Sequence, residues 1–298
     1  MARRYGTDGA NIINGTEDDD YLYGYAAGRA AQDTGADRIY GGGGTDYIYG
    51  GGGADLLFGD EGEDVIYGGT GNDRIDSGKD NDRVYGENGA DTIEAGEGDD
   101  LVVGGAGADR IDGQDGLDDL RGGDGADLLY GGAAEDRLLG QDDDDRIWGG
   151  DGDDEARGGN GVDLLSGEAG NDFLYGDAAN DRLLGGEGTD RLFGGADRDR
   201  LDGGVGQDFL SGGAAGDLFV FQGAWDFDTV MDFQNGLDRI DLRQTDLGYG
   251  NLTFERVDAD SDDVADDLLI KTTEDNYGEI ALLNTNQSQI TAADFLFG

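Results

Sequence analysis

From Asp37 to Asp217 the chain carries an aspartate at every ninth residue without interruption, 21 in succession. Two residues after each stands an apolar side chain, from Ile39, Ile48 and Leu57 to Leu210 and Phe219, and only Ala156 in that series is smaller than valine. A glycine-rich hexamer leads into each aspartate, as in GGGGTD (41–46), GGTGND (68–73) and GGAGAD (104–109). A beat held this strictly marks stacked copies of one small unit rather than an ordinary globular domain.

The period sets the geometry of that unit. Six residues of each repeat read as a loop and the next three, such as YIY at 47–49, as a strand. Side chains alternate along a strand, so Ile48 faces one way while Tyr47 and Tyr49 face the other. One repeat is too short to close a turn with two sheets, but two repeats suffice. The expected fold is all-β: a right-handed parallel β-roll with 18 residues per turn and two parallel sheets, closed by a C-terminal β capping segment. Its core is one aliphatic side chain per strand, thin for the glycine-rich backbone it must order. Part of the stability has to come from outside the chain.

Composition narrows the function. The net charge is −49, glycine accounts for 61 residues, and proline, cysteine and histidine are absent. Without cysteine there are no disulfides, thiolate nucleophiles or cysteine-ligated zinc. Without histidine there are no catalytic triads, HExxH zinc sites or imidazole acid–base chemistry. So acidic a chain is a poor partner for nucleic acid or an anionic membrane surface and a natural one for cations. No apolar run is long enough to span a bilayer, so no transmembrane segment is expected. The opening MARRYGTDGA lacks the apolar stretch of a cleaved signal peptide, which argues against classical export.

The hexamers are where a cation would sit. Glycines at loop positions 1, 2 and 4 permit positive φ and let backbone carbonyls turn toward one point, and the closing aspartate adds a carboxylate. Oxygen-only donors on flexible loops suit calcium better than magnesium or a transition metal, so multiple calcium ions are the expected cofactor. The candidate metal ligands are Asp37, Asp46, Asp55, Asp64, Asp73, Asp82, Asp91, Asp100, Asp109, Asp118, Asp127, Asp136, Asp145, Asp154, Asp163, Asp172, Asp190 and Asp208. An 18-residue turn sorts them into two columns, one through Asp37, Asp55 and Asp73, the other through Asp46 and Asp64. The tightest sites are expected at Asp55 with Asp73, Asp109 with Asp127, and Asp190 with Asp208, where both loops are intact. Position 4 has lost its glycine at Asp80, Ala134, Asp143, Ala179, Asp197 and Ala215. A side chain there makes a left-handed backbone costly, so the loops ending in Asp181, Asp199 and Asp217 are expected to bind weakly.

Residues 41–220 resemble the RTX nonapeptide array, the calcium-loaded β-roll of bacterial proteins exported by type I secretion. The resemblance implies ions held between loops of successive turns, a secreted, extracellular bacterial protein, a type I secretion transporter as partner, and folding after export. The stretch FVFQGAWDFDTVMDFQNGLDRIDL (219–242), through DTVMDF and GLDRIDL, resembles the cap that follows the roll in the serralysin-type group. ITAADFLFG (290–298) resembles the end of type I substrates. The zinc domain that precedes the roll in that protease group has no counterpart in a chain without histidine.

Three segments are expected: degenerate N-terminal repeats and an insertion at 1–31, the array at 32–220, and the cap and secretion-signal segment at 221–298. In the first, GTDGANIIN (6–14) places Asn11 where aspartate is expected, GTEDDDYLY (15–23) supplies Asp20, and YAAGRAAQ (25–32) shifts the phase by eight residues. In the last, Phe219, Phe221, Trp225, Phe227 and Phe233 should cover the open end, and LTFERV (252–257), DLLIKTT (267–273) and EIALLN (279–284) read as strands. Aromatic residues 18 apart predict ladders, Tyr49–Tyr67–Tyr85 and Tyr40–Phe58, with a carbohydrate platform as the functional alternative to packing. Arginines that follow the aspartates, such as Arg38, Arg74 and Arg110, read as solvated charge balance. Ala156 marks the weakest turn of the core. Asp258, Asp260, Asp262, Asp263, Asp266 and Asp267 form a carboxylate cluster outside the array. It reads as a solvated loop or one more calcium site, and the competing reading is a carboxylate-based hydrolase.

The chain is therefore expected to be a secreted calcium-binding β-roll without catalytic activity, a structural or interaction module meeting a cell surface or polysaccharide. The alternative is a folding and secretion module associated with a secreted protease, lipase or polysaccharide-modifying enzyme.

Overall fold

The computed structural model describes residues 2–28, 33–222, 226–260, 264–273, 277–285 and 287–298. Trp225, residues 29–32 of the insertion, and Asp262 and Asp263 lie outside the described residues. The chain forms two compact units, Met1–Asp151 and Gly152–Gly298, and their boundary falls inside the Ala156 repeat, GGDGDDEAR.

Each unit is all-β and coils with 18 residues per turn, because each strand pairs in parallel with the strand two repeats on. In the first unit Tyr47–Gly52 pairs with Val65–Thr70, setting Ile48 opposite Ile66, and Leu56–Glu61 pairs with Arg74–Lys79, setting Leu57 opposite Ile75. Odd-numbered repeats build one sheet and even-numbered repeats the other. Between Tyr21 and its partner Tyr47 the step grows to 26 residues, so the insertion is accommodated with strand register intact.

The alternation read from sequence decides what is buried. Every central residue from Ile39 to Ile147 in the first unit, and from Ala156 to Phe219 in the second, has no exposed surface. Strands are longer than expected, however. YIY is only half of a six-residue strand, Tyr47–Gly52, whose burial alternates through its glycines. Glycine-rich sequence suggested a loop, but parallel hydrogen bonds carry on across it: the Gly53 N–H donates to the Thr70 carbonyl at 2.8 Å and that of Gly71 to Asn88 at 2.8 Å.

On the outer face of the first unit the aromatic ladder is longer than the three rings expected. Tyr5, Tyr23, Tyr49, Tyr67 and Tyr85 stack with successive centroid separations of 4.6, 4.9, 5.0 and 4.9 Å, and Tyr40 stacks on Phe58 at 4.9 Å. The rings give their faces to one another, leaving edges outward, which favours packing over a sugar platform. The arginines form exposed pairs, such as Arg74 with Glu94 at 2.7 Å, of the kind that contributes little to stability.

The second unit ends in a cap. Phe227–Val230 continues one sheet and pairs in parallel with Glu279–Leu282, which is followed outward by antiparallel Asp267–Thr272 and Leu252–Val257. These are the three strands expected. Phe219, Phe221 and Phe233 are buried at this end, while Phe227 is half-buried. The final strand, Phe295–Phe297, pairs with Arg239–Leu242 and buries Phe295, so the secretion-like tail is part of the folded sheet. Among the described residues no helix is long and apolar enough to cross a membrane.

Candidate metal centre

Each array aspartate ends a loop just before its strand, and the strand's pairing places it beside the aspartate one turn on. The backbone N–H of Asp55 donates to Asp73 Oδ1 at 2.8 Å, Asp73 to Asp91 at 2.8 Å, and Asp91 to Asp109 at 2.8 Å. In the other column Asp46 donates to Asp64 and Asp64 to Asp82, both at 2.7 Å. The second unit repeats the pattern, with Asp172 donating to Asp190 and Asp190 to Asp208 at 2.9 Å. One carboxylate oxygen of each aspartate thus locks the turn.

The other oxygen is left over. All 18 candidate ligands are buried, with at most 4% of their surface exposed. From Asp37 through Asp127, and at Asp172, Asp190, Asp199, Asp208 and Asp217, the buried Oδ2 atom has no hydrogen-bond donor. An unpaired buried carboxylate is among the costliest arrangements a protein can hold. Burial accordingly drives these groups toward the protonated form, opposed by the hydrogen bond from the preceding turn and reinforced by neighbouring carboxylates. Asp64 and Asp82 rise to about 8, Asp73, Asp118, Asp127, Asp190 and Asp199 to about 7, and Asp55, Asp109 and Asp208 to about 6.

The loop glycines show what that oxygen faces. A Cβ built on Gly50 would lie 2.5 Å from Asp55 Oδ2 and 2.5 Å from the Gly68 carbonyl, and one on Gly68 would lie 2.6 Å from Asp73 Oδ2 and 2.8 Å from the Gly86 carbonyl. Glycine at position 1 therefore serves close approach, and not the positive φ expected there; Ser77 and Ala95 stand at that position in the loops ending at Asp82 and Asp100 and are fully buried. Positive φ occurs at positions 2 and 4, as at Gly51 (110°) and Gly53 (122°). The six residues that replace glycine at position 4 do adopt it, from 70° at Asp80 to 85° at Ala179, and so do Asp60, Glu87 and Gln114 at position 2, where the sequence raised no alarm. Orphaned carboxylate and carbonyl oxygens converging beside side-chain-free backbone fit a hard divalent cation, and calcium above all.

Sequence reading left out members of this ladder. Asp199 and Asp217, set aside for their loops, share the buried, donor-less Oδ2 of the rest. Past the last regular repeat, Asp208 donates to Asp228 Oδ1 at 3.0 Å and Asp217 to Asp238 Oδ1 at 2.9 Å. Asp228 rises to about 8, chiefly by burial. The aspartate–x–apolar signature persists at DTV (228–230) and DRI (238–240), but steps of 20 and 21 residues hide it from a nine-residue count. Asp241, although buried, falls to about 2 because Arg243 hydrogen-bonds it. Outside the ladder, Asp258, Asp260 and Asp267 bring carboxylate oxygens within 4.8 Å of one another. Asp267 is committed to backbone, accepting from Ala259 at 2.6 Å and Asn284 at 2.7 Å.

A parallel β-solenoid whose turns are lined by inward, uncompensated carboxylates is a cation-binding repeat fold. The sequence pattern of the RTX calcium-binding nonapeptide repeat matches residues 5–27, 33–57 and 58–93 and, in overlapping stretches, 85–219, and the chain belongs to that family. Among solved structures it is similar to a subunit of the Azotobacter vinelandii mannuronan C5-epimerase, at 28% identity over 53% of this chain and 80% of that one, with a TM-score of 0.24. It is also similar to the extracellular lipase of Serratia marcescens, at 19% identity over 79% of this chain, with a TM-score of 0.32. The chain spans 40% of that lipase's length. Among curated proteins no sequence matches significantly.

Proposed function

We propose that this calcium-binding β-roll is a secreted, non-enzymatic structural or interaction module that leaves the cell by type I secretion and folds when it meets calcium outside. The observation that carries the reading is the row of buried aspartates, in which one oxygen accepts the backbone N–H of the preceding turn and the other is left beside loop backbone and carbonyl oxygens. Without a cation those carboxylates oppose the folded state. With calcium their charge is balanced, and the ion's coordination would be supplied by Oδ2 atoms and loop carbonyls of the chain itself.

Coupling of this kind suits export. In a calcium-poor compartment the acidic repeats repel one another and the chain stays extended, and outside, ion binding and folding become one free energy. Sites of this class bind at about 10⁻⁴–10⁻³ M, the range of extracellular calcium modules. Calcium would be held by Asp37, Asp46, Asp55, Asp64, Asp73, Asp82, Asp91, Asp100, Asp109, Asp118, Asp127, Asp136, Asp145, Asp154, Asp163, Asp172, Asp190 and Asp208, and the proposal extends to Asp199 and Asp217, whose Oδ2 atoms are likewise buried without a donor.

Far-ultraviolet circular dichroism tests the reading. The purified chain in chelator is expected to lack β-structure and to gain it on titration with calcium, with little response to equal magnesium. A chain fully folded in chelator, or one that magnesium folds as well, overturns it.

A further inference from the structure

One outer face of the first unit differs from the rest of this acidic chain. On the strands of one sheet from Ala2–Tyr5 to Leu101–Ala106, the first outward column runs through Tyr21, Tyr47 and Val65 to Arg83 and Leu101. The second column is the stack from Tyr5 to Tyr85, followed by Val103. Neither column holds an acid across these six strands, in a chain with 69 acidic residues. On the other sheet the second column carries Asp76, Glu94 and Asp112 on consecutive rungs. The third outward column of the aromatic face holds Gly51, Gly69 and Gly105, with Glu87 as its acid. The patch ends at Asp119, which is paired with Arg121 at 2.7 Å and Arg137 at 3.5 Å. Tyr5 is 45% exposed, the tyrosines from Tyr21 to Tyr85 are half-buried, and Arg83 and Glu87 are exposed.

We infer that two copies of the chain pack sheet on sheet through this face, about a two-fold axis that runs along the tyrosine stack. Pitch favours a second copy as the occupant. The ring edges recur every 4.6–5.0 Å, and a partner with the same rung spacing seats its side chains between them over the whole patch. Charge favours it too. Arg83 and Glu87 stand on either side of Tyr85 on one strand, Arg83–Asn88, so this axis sets the Arg83 of each copy opposite the Glu87 of the other. Among the described residues Arg83 has no ion pair within its own chain. Six strands at ~4.8 Å and three outward columns at ~6.6 Å give a patch of about 500 Å² per copy, the low end for a specific interface, so the dimer is weak and reversible. Elsewhere the net charge of −49 holds copies apart, and bound calcium lowers it. Only that calcium dependence rests on the function proposed above.

Sedimentation equilibrium of the full chain in calcium tests this, at concentrations up to about 500 μM, where an interface of this size associates. Wild type is expected to show a reversible monomer–dimer equilibrium. Arg83→Glu sets like charges opposite each other twice per dimer and should weaken association about tenfold, while Arg83→Glu combined with Glu87→Arg should restore it. Val65→Lys, which leaves the tyrosine stack intact, should weaken it as well, and Arg110→Glu on the other sheet should leave it unchanged. Circular dichroism checks that each variant keeps the wild-type β-structure. A wild type that loads calcium and stays monomeric, or a double variant no better than Arg83→Glu, overturns the inference and leaves the calcium reading standing. So does a monomer that an acidic polysaccharide retards in a gel and Arg83→Glu releases, which assigns the face to a glycan. A chain that dimerises as described without taking up calcium supports the inference and sinks the calcium reading.

Discussion

The same carboxylate plays two parts in this molecule, and the difference lies in what meets its second oxygen. At the N-terminal rungs the protein meets it. The Thr16 hydroxyl donates to Asp20 Oδ2 at 2.9 Å, and at the first rung Asn11 replaces the acid with an amide whose Nδ2 donates to Asp37 Oδ1 at 2.9 Å. The cap does likewise: Asp238 accepts from Asp217 on one oxygen at 2.9 Å and from the Gln234 N–H on the other at 2.7 Å. From Asp37 through Asp127 no donor arrives. The terminal rungs therefore find their donors within the polypeptide, while the array rungs leave one oxygen without a donor, the oxygen proposed here to face calcium. A repeat protein needs ends that do not depend on further repeats.

Acid should blur this contrast more than any single substitution. Array aspartates such as Asp55, Asp73 and Asp82 have folded-state pKa values raised by burial to about 6, 7 and 8, against 3.8 for the free side chain. A raised value means the folded state binds protons more tightly, so the stabilisation is fully present below about 4 and is lost as pH rises through about 6–8. In chelator, β-structure followed by circular dichroism should grow as pH falls from 8 to 5. In calcium the sign reverses, because protons displace the ion, and apparent affinity should fall over the same range. Identical pH profiles with and without calcium would erase the distinction between rungs.

Asp118→Ala comes next. It removes the acceptor of the Asp100 N–H at 2.9 Å together with one orphan oxygen, and should lower stability at saturating calcium by about 3 kcal/mol, with a loss of bound calcium. Urea midpoints and equilibrium dialysis would show both. Thr16→Val tests the other kind of rung. It should cost about 1–2 kcal/mol through the stranded Asp20 oxygen and leave calcium stoichiometry unchanged. A change in stoichiometry would mean that the terminal rung is an ion site after all. The smallest effect should come from Ala215→Gly. With φ at 84°, releasing the side chain should stabilise the fold by about 1 kcal/mol in a thermal melt and tighten binding at the loop ending in Asp217.

The period made most of the fold legible. A nine-residue repeat with one aliphatic per strand leaves few solutions, and the two sheets, the 18-residue turn and the buried column from Ile39 to Ile147 follow from it. Glycine was harder to read, because one residue type serves two ends. At Gly51 and Gly53 it supplies a left-handed backbone, whereas at Gly50 it makes room for Asp55 Oδ2, and the sequence alone does not separate these uses. Strand length was misread for the same reason, since hydrogen bonding persists through residues that look like loop. At the site, regular spacing pointed to the array aspartates but could not register Asp228 and Asp238, whose loops are two and three residues longer.

Crystals grown in calcium and measured for anomalous scattering test the central claim most directly. The account predicts calcium peaks in register along the array, each touching the Oδ2 atoms of aspartates such as Asp55, Asp73 and Asp109, with no peak at Asp20 or Asp238. A folded array with no ion beside those oxygens, or ions bound equally at the terminal rungs, would contradict it.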